Sequence, residues 1–139
     1  MPNPAKQSSA VRLTAGDAVL TVLPHDGCRM GSLRLGGMEL LRTTASDPHG
    51  YGCFPMVPWA GRIAGGQFLN GGVRHRLPPD VGRHAIYGTG VDRAWHQVVA
   101  ATTETSAAFY YDLGDPWPYS GRVTQVFELA PDSLSVTLC

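Results

Sequence analysis

The residues best suited to bind a small ligand lie in the middle of the chain, in a glycine-rich stretch at positions 54–95. Arg62 is the only charged residue between positions 54 and 66 of this stretch. Its guanidinium group presents N–H donors in a fixed fork and can bind two oxygens at once, and adjacent glycines let a ligand approach the backbone. The alternative is a surface arginine paired with a carboxylate, which the residues alone favour slightly.

Two further polar side chains follow in the same stretch, where residues 84–88 read HAIYG. A single histidine such as His84 is more often structural than catalytic. Tyr87 is as consistent with a core aromatic whose hydroxyl has a partner as with a ligand contact. The loop that contains Trp117 and Tyr119 offers flat rings, which could stack against a sugar or simply pack together.

The sequence supports neither a metal site nor a cofactor. The five histidines show no H-x-H or H-x-x-x-H spacing, so a metal centre is not indicated. No phosphate-binding loop, dinucleotide fingerprint or G-x-S-x-G element occurs. The three cysteines include no C-x-x-C pair, a pattern typical of reduced thiols in a cytoplasmic protein.

Charge and hydropathy exclude several classes of partner. Positive and negative side chains balance at 11 each, which argues against nucleic acid and anionic membranes. No apolar run is long enough for a signal peptide or a membrane span, and we expect a cytoplasmic protein. Residues 1–10 are polar and predict a flexible N-terminal tail, followed by one domain at 11–139.

Short strands are the elements that would position these residues. Glycine (17) and proline (11) make up about a fifth of the chain, against about 12% in ordinary domains, and no helical apolar pattern runs for three turns without one of them. Gly36-Gly37 and Asn70-Gly71-Gly72 each separate two strand-like runs, which is typical of hairpins. Further strands are predicted at residues 18–23, 95–101, 107–113 and 122–129. The pattern predicts an all-β fold, an antiparallel β-sandwich.

The last segment predicts a strand at the very end of the chain. Leu134, Val136 and Leu138 alternate with polar residues, as in a strand with one buried face. Because the chain stops at Cys139 within this pattern, we expect a truncated sandwich whose apolar edge is exposed. Homo-oligomerisation through exposed strand edges is a further expectation.

Residues 58–68 read PWAGRIAGGQF, and this segment resembles the aldose 1-epimerase motif P-x-x-N-R-I-x-x-G-x-F. The next characteristic elements of that family have similar counterparts here in the same order. Residues 77–79 resemble the family's leucine–proline turn, and residues 84–88 resemble its H-A-L-H-G or N-x-L-H-G element. Residues 92–95 resemble its R-x-W element, and residues 115–121 resemble its Y-P-G loop. A match to several motifs in the same order across residues 20–139 indicates the family far more specifically than a match to any one of them.

The resemblance implies a galactose mutarotase-like β-sandwich and an isomerase that interconverts the α and β anomers of aldoses such as galactose and glucose. Ring opening removes a proton from the anomeric hydroxyl and delivers one to the ring oxygen, which is general acid–base catalysis. The family's base is a late glutamate and its acid a histidine beyond the middle, and neither has a counterpart in these 139 residues. The resemblance therefore implies no catalytic residue here and a small aldose bound by Arg62, Tyr87 and His84.

Two positions depart from the family pattern. The asparagine before the arginine is replaced by Gly61, and the sugar-binding histidine before the glycine by Tyr87. A tyrosine hydroxyl can bond a sugar oxygen but cannot carry a positive charge. These changes favour an alternative function, a non-catalytic carbohydrate-binding β-domain that retains recognition without the chemistry. An unrelated β-sandwich acting as an interaction module is a more distant alternative.

Overall fold

A computed structural model describes residues 10–139. The predicted N-terminal tail, residues 1–10, lies outside these residues except for Ala10, which is exposed and precedes the first strand. In chain order the strands are β1 (Val11–Ala15), β2 (Ala18–Leu23), β3 (Arg29–Leu35), β4 (Met38–Glu39), β5 (Arg62–Ile63), β6 (Gln67–Asn70), β7 (Val73–Arg76), β8 (Ala85–Ile86), β9 (His96–Gln97), β10 (Ser106–Asp112), β11 (Arg122–Ala130) and β12 (Ser133–Leu138).

Two four-stranded antiparallel sheets form the body of the protein. Their strand orders are β1-β2-β3-β4 and β12-β11-β10-β9. The ribbons β5-β8 and β6-β7 are separate two-stranded sheets. Three 3₁₀ turns, at Ala64–Gly66, Gly90–Asp92 and Val99–Ala101, are the only helical elements in residues 10–139, and none of them could cross a membrane.

The core lies between the inner faces of the two four-stranded sheets. Leu13, Leu20 and Val22 of the first sheet belong to the same buried cluster as Phe109 and Phe127 of the second, and all five are fully buried. The two phenylalanine rings meet edge to face with their centroids 6.0 Å apart, a favoured geometry for aromatic pairs. The period-2 alternation of the strands thus produces the antiparallel β-sandwich that the sequence predicts.

The segment at residues 95–101 was predicted as one strand, but only His96–Gln97 is a strand. Trp95 is buried before it, with its indole N–H donating to the Gly90 carbonyl at 3.0 Å. After it the chain turns into the 3₁₀ element Val99–Ala101. Strand β1, for which no strand was predicted, pairs along its whole length with β2. Tertiary pairing therefore overrides the weak local pattern at both places.

The final strand forms as predicted, but its apolar face is only partly covered. Leu134 is half-buried and packs against the core, whereas Val136 and Leu138 are 43% and 46% exposed. β12 is the edge strand of its sheet, so no further strand of the described residues shields these two side chains. The expectation of an exposed apolar edge is confirmed at Val136 and Leu138 but not at Leu134, and oligomerisation through this edge stays a prediction.

Candidate functional site

A cleft of about 610 Å³ opens among the loops at one end of the sandwich. This volume lies within the range of about 300–1,000 Å³ that is common for small-molecule sites. The charged and titratable side chains that line the cleft are Asp26, Arg29, His49, Asp80, Asp92 and Arg93. Acidic and basic side chains therefore surround a space large enough for a small ligand.

The β5-β8 ribbon carries Arg62 to the rim of this cleft. Arg62 pairs directly with Ile86 across the two strands, and directly opposed residues of an antiparallel pair share one face. Ile86 lines the cleft, so Arg62 stands next to a lining residue, although it is not itself among the residues that line the cleft. Its side chain is exposed, and within residues 10–139 it forms neither an ion pair nor a hydrogen bond. The alternative considered from the sequence, a surface arginine paired with a carboxylate, is therefore not observed.

Two glycines flank the strands of this ribbon: Gly61 precedes β5 and Gly88 follows β8. Gly61 has φ = 62°, and its carbonyl accepts the Tyr87 N–H at 2.8 Å. Gly88 has φ = 79°, and a Cβ on it would lie 1.9 Å from the carbonyl oxygen of Val57. Only glycine fits that close approach, which joins the end of β8 to the segment that precedes Arg62.

Tyr87 lies next to the cleft but does not line it. The residue has φ = 61° and is half-buried. Its ring meets the His49 imidazole edge-on at 5.3 Å and lies 5.7 Å from the Phe54 ring. The observed contacts of Tyr87 are therefore aromatic ones that position His49, and His49 does line the cleft.

His84 fastens a backbone turn. Its Nδ1 accepts the Gly65 N–H at 3.1 Å, and its backbone N–H donates to the Val81 carbonyl at 3.1 Å. These bonds tie the 3₁₀ turn after Arg62 to the start of β8. Because Nδ1 accepts, only Nε2 of this imidazole remains for a ligand. His84 is half-buried and is not among the residues that line the cleft.

A buried arginine that sequence reasoning missed forms the cleft wall. Arg29 is 1% exposed, and its Nη1 donates to the carbonyls of Pro48 and Tyr51 at 2.5 and 2.7 Å. Its guanidinium group lies 4.2 Å from the centre of the Tyr51 ring and 4.8 Å from that of Phe54, within cation–π range. Arg29 thereby attaches the loop after β4 to β3. No spacing in the sequence links these distant positions.

Asp26 completes this cluster. Its carboxylate accepts the Tyr51 hydroxyl at 2.5 Å and lies 3.7 Å from Nε of Arg29. Burial, together with the bond to Asp26, raises the pKa of the Tyr51 hydroxyl above its ordinary value. Tyr51 therefore stays neutral at physiological pH and acts as a donor that holds Asp26 in place.

Trp59 and His49 are two more lining residues that sequence reasoning did not single out. The Trp59 indole N–H is buried and has no hydrogen-bond partner among the described residues. Its ring lies 5.6 Å from that of Trp117, which in turn stacks on Phe68 at 5.4 Å. The aromatic loop noted in the sequence therefore packs against the ribbons next to the cleft.

Comparison with known proteins identifies the family of this chain. The profile of the aldose 1-epimerase family matches residues 9–138. The uncharacterised protein YphB of Escherichia coli strain K12 is 35% identical over 108 residues, which cover 76% of this chain and 34% of YphB. The chain therefore spans about a third of the length of this curated relative.

Solved structures show the same fold over nearly the whole chain. A protein of Escherichia coli K12, provisionally named an aldose 1-epimerase, has a TM-score of 0.82 at 29% identity and matches 94% of this chain with 45% of its own. A galactose mutarotase-like protein of Clostridium acetobutylicum has a TM-score of 0.75 at 20% identity, matching 93% of this chain with 44% of its own. Galactose 1-epimerase of Lactobacillus acidophilus NCFM has a TM-score of 0.71 at 18% identity, over 93% of this chain and 42% of its own. The chain spans less than half of each of these structures. Because the family profile matches residues 9–138, the chain belongs to the aldose 1-epimerase family.

Proposed function

We propose that this chain carries the sugar-binding part of an aldose 1-epimerase-like isomerase, which interconverts the α and β anomers of an aldose such as galactose or glucose. The observation that carries the proposal is Arg62, an exposed guanidinium without a protein partner in residues 10–139, at the rim of a cleft of about 610 Å³. The family match over residues 9–138 supports it. We expect the reaction to take place in the cytoplasm.

Arg62 has the principal role in this proposal. An arginine fork suits two neighbouring sugar oxygens because its donors lie in one plane. The Tyr87 hydroxyl and Nε2 of His84 are proposed as further contacts, reached from beside the cleft. No catalytic residue is assigned within this chain.

The direct test is anomer exchange measured by NMR on galactose and glucose, with the wild-type chain, Arg62→Ala and Arg74→Ala. Arg74 is a matched control because it is also an exposed arginine on a two-stranded ribbon. Loss of a charged hydrogen bond predicts a fall of about ten- to a hundredfold in sugar affinity or exchange for Arg62→Ala. Arg74→Ala should stay within about twofold of wild type because surface substitutions change free energies little.

A second function is favoured by Gly61 and Tyr87, which replace an asparagine and a histidine of the family pattern. In this case the chain is a non-catalytic carbohydrate-binding domain. Exchange faster than in buffer that Arg62→Ala abolishes would exclude this alternative, whereas sugar-dependent shifts of the protein resonances without such exchange would show binding alone, as the alternative requires. If the chain shows no anomer exchange and no sugar-dependent shifts, both functions are overturned for this chain.

A further inference from the structure

His49 is the one histidine that lines the cleft. Its side chain is 29% exposed, so it is partly shielded yet reachable from the opening. Two aromatic rings fix its position, the Tyr87 ring edge-on at 5.3 Å and the Phe54 ring at 6.0 Å. Such packing reduces the freedom of the imidazole before any ligand arrives, and binding then orders fewer groups.

The Asp47 carboxylate lies beside this imidazole. It accepts the backbone N–H of His49 at 2.9 Å and lies 3.6 Å from its Nδ1. In a neutral imidazole, a carboxylate beside one ring nitrogen favours the proton on that nitrogen. The other nitrogen, Nε2, then keeps its lone pair and can accept a hydrogen bond. Among residues 10–139 no group donates to Nε2.

The carboxylates of the cleft are already engaged. Asp26 accepts the Tyr51 hydroxyl, Asp80 accepts the Ile86 N–H at 3.1 Å, and Asp92 lies 3.8 Å from Nε of Arg93. Nε2 of His49, by contrast, is an acceptor to which no group of residues 10–139 donates. A ligand that contacts it must bring a donor such as a hydroxyl.

The charges of the cleft indicate a neutral ligand. Three carboxylates, those of Asp26, Asp80 and Asp92, face the two guanidinium groups of Arg29 and Arg93. Arg62 at the rim adds one positive charge, so the lining has no positive excess that would favour a phosphate.

We propose that His49 is a sugar-contacting residue whose Nε2 accepts a hydrogen bond from a hydroxyl of a neutral sugar in the cleft. This inference rests on the proposed function for the sugar as ligand. It adds a contact on the loop after β4 to those proposed for Arg62, Tyr87 and His84, and this contact accepts a hydrogen bond where Arg62 donates. Tyr87, which replaces the family's histidine, positions His49 by ring contact.

The test uses methyl β-galactoside, which cannot mutarotate, so binding is measured apart from catalysis. His49→Phe keeps the aromatic packing and removes Nε2, whereas His49→Gln places an amide oxygen near the same point. The matched control is His96→Phe, because His96 also contacts a tyrosine ring, that of Tyr110 at 5.0 Å, and does not line the cleft. Loss of one hydrogen bond predicts about three- to tenfold weaker binding by His49→Phe, substantial recovery in His49→Gln and no change in His96→Phe.

A second readout separates contact from structure. The ¹⁵N resonance of His49 Nε2, assigned by its absence from His49→Phe, should shift when methyl β-galactoside binds, and the His96 resonances should not. Wild-type affinity in His49→Phe, an unshifted Nε2 resonance at saturation, no binding of the galactoside, or tighter binding of galactose 6-phosphate would each overturn the inference. Galactoside binding through His49 without anomer exchange would support the inference, although this chain would then show no isomerase activity of its own.

Discussion

The sandwich and the cleft loops of this protein are held in place in different ways. In the sandwich, strands of five to nine residues such as β1 and β11 pair along their length and bury most of their alternate side chains. In the loops between β4 and β9, strands β5 and β8 have only two residues each. There, individual hydrogen bonds, ring contacts and glycine conformations fix the chain.

Arg29 and Trp95 show how the two regions are joined. Arg29 begins β3 and bonds carbonyls 19 and 22 residues further along the chain. Trp95 is 2% exposed and belongs to the core cluster, while its indole N–H bonds the Gly90 carbonyl beside the cleft. The sheets therefore act as the rigid support, and a few long-range contacts place the loops that carry the site.

The largest effect is expected in the sandwich. Phe127 is fully buried against Phe109, so Phe127→Ala should lower the free energy of unfolding by about 3–5 kcal/mol. Its cross-strand partner Val136 is 43% exposed, and Val136→Ala should cost less than about 1 kcal/mol. Urea unfolding monitored by circular dichroism measures both. Equal losses would contradict the view that burial stabilises this region.

In the loops a backbone substitution should have the greatest effect. Gly88→Ala places a Cβ 1.9 Å from the Val57 carbonyl oxygen at φ = 79°, which we expect to cost about 2–4 kcal/mol. Gly61 also has positive φ, but nothing lies within 4 Å of its virtual Cβ. Gly61→Ala should therefore cost only about 1–2 kcal/mol. Comparable unfolding curves for the two variants would show that the contact with Val57 is unimportant.

The smallest effect is expected at Glu39, where the first sheet passes into the loops. Burial alone would raise the pKa of its carboxyl, but bonds from the Ser32 hydroxyl and the N–H groups of Leu33 and Leu41, with the charge of Arg34, hold that pKa below its ordinary value. A lowered pKa in the folded state stabilises the protein above the unfolded value of about 4.3. This contribution is lost as pH falls through the folded pKa.

Glu39→Gln should therefore lower stability at pH 7 by about 1 kcal/mol or less, and the difference from wild type should vanish in acid. Urea midpoints at pH 7 and below the pKa of Glu39 measure this. Glu128→Gln is the control, since Glu128 is exposed on β11. A difference that persists unchanged in acid would show that the carboxylate charge is not the cause.

Much of the fold could be predicted because strand alternation is a local property. The pattern of β11, with Val123, Gln125, Phe127 and Leu129 on one face, corresponds residue by residue to its buried positions. The glycine pair at residues 36–37 likewise marks the turn between β3 and β4. Strands β5 and β8 have only two residues each and no tight turn joins them as one joins β3 and β4, so they were not predicted.

The site was predictable only in part. Arg62 was identified by its isolation among small residues and by the resemblance to a family motif, and the structure brings it to the rim of the cleft. His84 and Tyr87 were identified by the resemblance, and like Arg62 neither is among the residues that line the cleft. The roles of all three residues as sugar contacts stay predictions.

By itself the sequence determined the all-β character, the membership of the aldose 1-epimerase family and the candidate Arg62, because periodicity and ordered motifs are read along the chain. Only the tertiary structure decided that Arg29, His49 and Trp59 line one cleft. The ring of His49 meets Tyr87, 38 positions away, and the guanidinium of Arg29 lies over Tyr51. Contacts between residues so far apart depend on how the sheets and loops pack, and no local pattern encodes them.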